Sequence, residues 1–174
     1  DHLSCLSSGQ WLKIIIEFPE TLYNLALLAS KSRGVPLDHL SPHLSNLDAS
    51  SWIMLIEKTP DLTEHLVAAF ERGHQTALKN LMLVAQEGDV RLLLLIGKHL
   101  TTQNGFGEQQ WLATLIANPK ALGELAYAAA SGDNKYAFSA LCHHVLAISN
   151  TIQNRSLYDT IVFEGHTLSY LVEA

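Results

Sequence analysis

The sequence predicts an all-α fold, an irregular α-solenoid of stacked helix pairs with about 9–11 helices. Three observations predict it. A tryptophan-led segment recurs at Trp11, Trp52 and Trp111, and in each copy a proline follows eight residues later, at Pro19, Pro60 and Pro119. Aliphatic residues recur in register: directly after the tryptophan (Leu12, Ile53, Leu112), four residues after it (Ile15, Ile56, Leu115) and fourteen after it (Leu25, Leu66, Leu125). Small residues then gather at Ala26 and Ala29, at Ala68 and Ala69, and at Ala126 and Ala128 to Ala130. Glycine follows them at Gly73 and Gly132, and Gly34 arrives two residues late in the first copy.

Each copy predicts a short helix, a tight break and a second helix, with units starting near residues 8, 49 and 108. Proline at the first helical position costs no hydrogen bond, because that N–H has no intrahelical partner anyway. Thr59 and Asn118, just before the proline, are good N-cap types, whereas Phe18 is not. The first unit is therefore expected to be the degenerate one. In the second helix of unit two, Leu62, Leu66, Ala69 and Phe70 share a face, while Asp61, Glu64, Glu71 and Arg72 point elsewhere. Leu122, Leu125, Ala126 and Ala129 form the same stripe in unit three, and rows of alanine let helices approach closely.

Between units two and three, roughly Gln75 to Leu100 predicts an extra helix pair broken at Gly88, with Asp89 capping the second helix. This insertion explains a tryptophan spacing of 41 and then 59. After Gly132, Asp133 is expected to cap a long helix carrying Tyr136, Phe138, Ala140, Leu141, Val145 and Ile148. The closing stretch predicts a short helix around Ser156 to Phe163, a break at Gly165 and a last helix near Thr167, with a β-hairpin as the alternative. The expected organisation is a single helical-repeat array over residues 1–174. Because the chain starts at Asp1, it is expected to be a piece of a longer protein.

Composition narrows the function. An apolar fraction of 48% in 174 residues is enough to bury a core. Cys5 and Cys142 are far apart and form neither a disulfide framework nor a four-ligand zinc site. Eleven Lys and Arg against seventeen Asp and Glu give a net charge of -6, and the basic residues are scattered, which argues against nucleic acid as a partner. An apolar run such as Leu92 to Ile96 is far short of a membrane-spanning segment.

The segments AAFERGHQTAL, LVAQEGDVRLLLL and AAASGDNKYAF share a signal of alanine, two or three residues, glycine and then His or Asp that resembles the helix-turn-helix of ankyrin repeats. The closing GHTLSYLVEA resembles the opening of such a repeat. The T-P-L-H core is missing, and the family's regular spacing of about 33 residues is not kept. A helical solenoid of the HEAT or tetratricopeptide kind explains the pairs equally well. Acidic, alanine- and leucine-rich irregular repeats also resemble those of effector proteins of intracellular bacterial pathogens. That resemblance implies a cytoplasmic scaffold engaging another protein, a host protein in the host cytosol after secretion.

Little in the sequence points to catalysis. His39 and His43 have chelate spacing, but Pro42 lies between them. His143 and His144 beside Cys142 are adjacent, so on a helix they diverge by about 100° per residue. The loop NGFG, Asn104 to Gly107, lacks the lysine and the strand of a phosphate-binding loop. Acidic pairs such as Glu17 with Glu20, Asp61 with Glu64 and Glu87 with Asp89 fit helix starts and solvated faces. The tryptophans are expected in the core, their indole N–H bonded to a carbonyl or water. No catalytic, cofactor-binding or metal-ligating residue is expected. The candidate protein-binding residues are Arg72, His74, Phe106 and Lys135, in the turns at Arg72 to His74, Glu87 to Asp89 and Asp133 to Lys135 and in the loop TTQNGFGEQQ. Phe106, which has no periodic partner, is expected to be the exposed aromatic, with tucking back onto the array as the alternative. The expected function is non-catalytic protein binding; the alternative is an all-α enzyme or metal-dependent hydrolase using the histidines and carboxylates.

Overall fold

A computed structural model describes residues 6–31, 36–100, 106–132 and 135–151, with side chains described as far as His144. Cys5, Gly34, Asn104, Asp133 and the stretch 152–174, to which the sequence assigns roles, lie outside the described residues. Every regular element among the described residues is helical. The α-helices are α1 (Ser8–Glu17), α2 (Glu20–Ala29), α3 (Leu37–Leu40), α4 (Ala49–Lys58), α5 (Leu62–Glu71), α6 (Thr76–Ala85), α7 (Val90–Ile96), α8 (Glu108–Ala117), α9 (Ala121–Ala130) and α10 (Tyr136–Thr151). Two 3-10 segments, Ser41–Asn46 and Gly97–His99, extend α3 and α7. The chain divides into two compact units, Asp1–Val84 and Ala85–Ala174.

The three tryptophan helices start at residues 8, 49 and 108 and are each ten residues long, with the tryptophan fourth. Their starts are fixed by local chemistry. At α1, Gln10 N donates to Ser7 Oγ at 3.4 Å and Ser7 N donates to Gln10 Oε1 at 2.9 Å, a reciprocal capping box. Asp48 accepts from Ser51 N at 2.8 Å and from Ser50 Oγ at 2.9 Å to cap α4. At α8 the cap is Gly107, which has no side chain to offer, and only the return half of the box forms, Gly107 N to Gln110 Oε1 at 3.0 Å. One turn into each helix the tryptophan and the aliphatic four residues on are both buried: Trp11 with Ile15, Trp52 with Ile56, Trp111 with Leu115. Burying one such aliphatic side chain contributes about 1.5–3 kcal/mol.

The break that follows has one geometry in all three copies. Phe18, Thr59 and Asn118 have φ of -129°, -134° and -134° and ψ of 77°, 77° and 91°. A residue before proline is driven out of the α region by the ring, so each of them ends the first helix instead of capping the second. Their carbonyls then accept from Thr21 N (2.9 Å), Leu62 N (2.9 Å) and Ala121 N (3.1 Å), closing a turn over the proline. This corrects two expectations. The prolines precede the second helices instead of occupying their first turn, and Phe18 serves as well as Thr59 or Asn118 because the steric rule ignores side-chain polarity.

Gly73, Gly88 and Gly132 have φ of +103°, +82° and +81°, the left-handed conformation that glycine adopts without a Cβ penalty. At Gly73 its N–H donates to Phe70 O at 3.0 Å and His74 N donates to Ala69 O at 3.0 Å, the paired bonds of a Schellman stop. The glycine that follows the alanines is thus a helix terminator in all three segments that carry the signal. Asp89 caps α7 as expected, accepting from Leu92 N at 3.0 Å.

In the first unit α1 packs on α2 and α4 on α5, and α2 lies along α5, where the Tyr23 and His65 rings meet edge to face at 5.2 Å. The segment Ser41–Asn46 packs on α1, with Ser8 Oγ 2.7 Å from His43 Nδ1. Asn80 on α6 donates to Ser41 O at 2.7 Å. In the second unit α8 pairs with α9, and α10 packs on α7, α8, α9 and the 3-10 turn. The stripes have the expected faces: Leu62, Leu66 and Ala69, and Leu122, Leu125 and Ala126, are buried, with Phe70 and Ala129 at the margin. All three tryptophans are buried as expected, and no protein carbonyl among the described residues accepts from Nε1 of Trp52 or Trp111.

Candidate functional site

The four side chains proposed from sequence for binding divide into two exposed and two buried. Arg72, at the end of α5, and Lys135, just before α10, are exposed. His74 is buried, because it follows the left-handed Gly73 and its chain turns back onto the unit. Its Nδ1 lies 2.8 Å from Asp38 Oδ2 on α3, and its Nε2 is enclosed with no partner. A general base must reach a substrate proton. An enclosed Nε2 does not, and the pair acts as a tether between α3 and the end of α5.

Phe106 takes the second of its two expected places, tucked back onto the array, and so is corrected as a candidate binding residue. It is fully buried and meets the Trp111 ring edge to face, with centroids 4.8 Å apart at 80°. With Gly107 as the N-cap of α8, Phe106 is the residue before the cap and Trp111 the fourth of the helix, the positions of a hydrophobic staple. The signal was present in the repeat. Leu6, Leu47 and Phe106 each stand five residues before a tryptophan, and Leu47 is buried and Leu6 half-buried in the corresponding place.

The histidines of the metal hypothesis are also located. His39 is exposed, and His43 pairs with the Ser8 hydroxyl. Among the described residues no group of three or more His, Cys, Asp or Glu is placed to hold a metal ion. His143 and His144, although adjacent, both line one cleft.

That cleft belongs to the second unit and has a volume of about 370 Å³. One wall is α10, where Tyr136, Ser139, Ala140, His143 and His144 follow one another at helical spacing. The other is the end of the 3-10 turn, contributing Gly97, Lys98 and Leu100. The walls meet closely at Gly97, where a Cβ would stand 2.8 Å from Ala137 N, so glycine alone allows this approach. Cys142, the next residue before the pair, is exposed but not part of the lining, and partial burial raises its thiol pKa. Among the described residues the lining includes a lysine, two imidazoles, a hydroxyl and a phenol.

Sequence reasoning missed this cleft because Lys98 lies about forty-five residues from the histidines and carries no motif. None of the described helices is long and apolar enough to cross a membrane. No protein-family model matches the chain, nor does any curated protein or solved structure.

Proposed function

We propose that this chain is a helical-repeat module, an irregular α-solenoid of stacked helix pairs that binds another protein. One observation carries the reading. The hairpin is built three times from the same positions, and in every copy the tryptophan and the aliphatic four residues after it are buried, while the residues between and after them include exposed positions. At five residues past the tryptophan stand Ile16, Glu57 and Ile116, all exposed. Phe18, seven past the first tryptophan, is more than half exposed at 59% while its counterpart Thr59 is buried. In repeat architectures the ladder keeps the fold and the remaining positions are free to specify a partner. The packing of α2 along α5, one second helix on the next, supports stacking within the first unit. In an effector-like protein the partner would be a host protein met in the cytosol.

Phe106 is removed from the binding surface by its burial, so the test uses exposed positions. The intact chain and the variants Arg72→Glu, Lys135→Glu and Phe18→Ser are each used to capture proteins from host-cell lysate, with quantitation by mass spectrometry. At least one variant is expected to lose a protein that the parent chain retains. Retention of nothing by the parent, or of the same set by every variant, refutes the reading.

A further inference from the structure

We propose that Ser8 and His43 form a nucleophile–base dyad that takes an acyl group from a carboxylic ester. The inference is independent of the protein-binding reading and concerns the first unit alone.

The first argument is geometry. Ser8 Oγ lies 2.7 Å from His43 Nδ1, within the distance of about 2.6–3.2 Å at which a base takes a proton from a nucleophile. When the hydroxyl donates, Nδ1 is the unprotonated nitrogen and the neutral ring carries its proton on Nε2, which is the form a general base needs. The pair is also accessible. His74 and Asp38 are at a similar distance but the imidazole is enclosed, whereas Ser8 is exposed and His43 half-buried.

The second argument is that the repeat does not need this bond. Ser8 stands three residues before Trp11, where the other copies have Ala49 and Glu108, and their helices begin at the same place. The cap of α1 is Ser7, in its reciprocal bonds with Gln10. The segment Ser41–Asn46, which carries His43, is held by the fully buried Leu44 and by the bond from Asn80 to Ser41 O. A serine and a histidine thirty-five positions apart are thus brought together at a place where helix start and core are already secured.

The third argument concerns the charge that the reaction develops. Attack by Ser8 on an ester carbonyl turns its oxygen into an oxyanion, which backbone N–H groups stabilise. Ser7 accepts from Gln10 N and Trp11 N, and the two amides before them, Ser8 N and Gly9 N, have no intrahelical acceptor. A Cβ added at Gly9 would meet nothing within 4 Å, so the side next to the nucleophile is open. Among the described residues no carboxylate holds the His43 ring, so a third, orienting member is missing. The dyad is therefore suited to acylation followed by slow release.

In the first half-reaction Ser8 Oγ bonds to the carbonyl carbon and its proton passes to His43 Nδ1. The ester C–O bond then breaks, and the imidazolium returns the proton to the departing alkoxide. In the second half water attacks the acyl-serine with His43 again taking the proton, which goes back to Ser8 Oγ as the carboxylic acid leaves. The sum is ester plus water to acid plus alcohol.

The full chain is treated with an alkyl fluorophosphonate, which exchanges its P–F bond for a bond to an activated serine, and the modified peptides are quantified by mass spectrometry. Ser8 is expected to react at least about tenfold faster than Ser50, an exposed serine in the first turn of α4. The Ser50 hydroxyl donates at 2.9 Å to the carboxylate of Asp48, a far weaker base than imidazole. His43→Gln keeps an oxygen that can accept from Ser8 but has no basic nitrogen, so modification of Ser8 should slow about tenfold or more with urea unfolding unchanged. A bond that only tethers would leave the rate where it was. His39→Gln, at an exposed histidine one turn earlier, should react as the parent does. With p-nitrophenyl acetate, acetyl should accumulate on Ser8. The proposal is overturned if Ser8 of the folded parent is not modified, if Ser8 and Ser50 react at equal rates, if His43→Gln reacts as fast as the parent, or if no acetyl is found on Ser8. The comparison of Ser8 with Ser50 is made within the parent chain, so it decides even where a variant fails to fold.

Discussion

Gly88→Ala tests the turn between α6 and α7 more sharply than any other single substitution. Gly88 has φ +82°, and an alanine held there costs about 1 kcal/mol for the left-handed conformation alone. The added Cβ would stand 2.6 Å from Asn118 Cβ and 3.1 Å from Thr114 O, at the end of α8. Carbon atoms pack comfortably at about 3.5–4.0 Å, so nearly 1 Å of overlap must be relieved by moving backbone. Relief of that kind costs about 1–3 kcal/mol. It also disturbs the hydrogen bond from Asn118 Nδ2 to Gly88 O, 2.8 Å in length. The expected total is about 2–4 kcal/mol. Gly132 supplies the control within the same unit: its φ is +81°, and a Cβ added there would meet nothing within 4 Å. Gly132→Ala should therefore cost only the conformational share, about 1 kcal/mol. Urea unfolding of both variants, compared at equal m-value, measures the difference. Equal losses for the two would refute the close approach of the Gly88 turn to α8.

Trp52→Phe should cost about 1–2 kcal/mol against about 3–5 for Trp52→Ala, because a phenyl ring keeps most of the buried packing that alanine loses; equal costs in urea unfolding would refute the burial of this ring. Asp38→Ala should cost about 1–2 kcal/mol by leaving the buried His74 without its acceptor, while Asp38→Asn, which keeps a carbonyl oxygen, should cost less. The bonds that Asp48 accepts from Ser51 and Ser50 hold its carboxyl pKa below the ordinary aspartate value. A folded pKa below the unfolded one gives stability that is complete above the unfolded value and lost as pH falls through the folded value. Asp48→Asn keeps the cap and should flatten that part of the acid limb of a thermal-unfolding series. Burial raises the Cys142 thiol pKa, so its alkylation by iodoacetamide near neutral pH should run slower than that of free cysteine; a faster rate would contradict this environment.

Much of the first-order structure was legible because its causes act over a few residues. Helix starts near residues 8, 49 and 108 follow from caps at Ser7, Asp48 and Gly107, the breaks from pre-proline sterics, and the stops from glycines at positive φ. Where local reading failed, it assigned a correct feature to the wrong side of a boundary. Thr59 and Asn118 are capping types and predict caps on the second helices, yet Thr59 Oγ1 donates back to Leu55 O at 2.6 Å. Asn118 does accept from Lys120 N at 3.1 Å, but its amide reaches Gly88 O, thirty residues upstream.

The sequence by itself determined the all-helical class, the tryptophan-to-proline hairpin and the buried pair of tryptophan and aliphatic four residues on, since periodicity and capping are properties of neighbours; Leu12, Leu25 and Leu112, in the same register, are only half-buried. Tertiary structure decided which polar-loop residues face inward. Phe106 looked exposed among Thr, Gln, Asn and Glu, but the staple to Trp111 outweighs the character of its neighbours. His74 looked like a turn residue and is a buried partner of Asp38, thirty-six positions away. The cleft that joins Lys98 to His143 and His144 exists only because Gly97 lets the 3-10 turn close on α10. Contacts of that range carry no period and no spacing along the chain; they follow from which helices pack together, and that is settled in three dimensions.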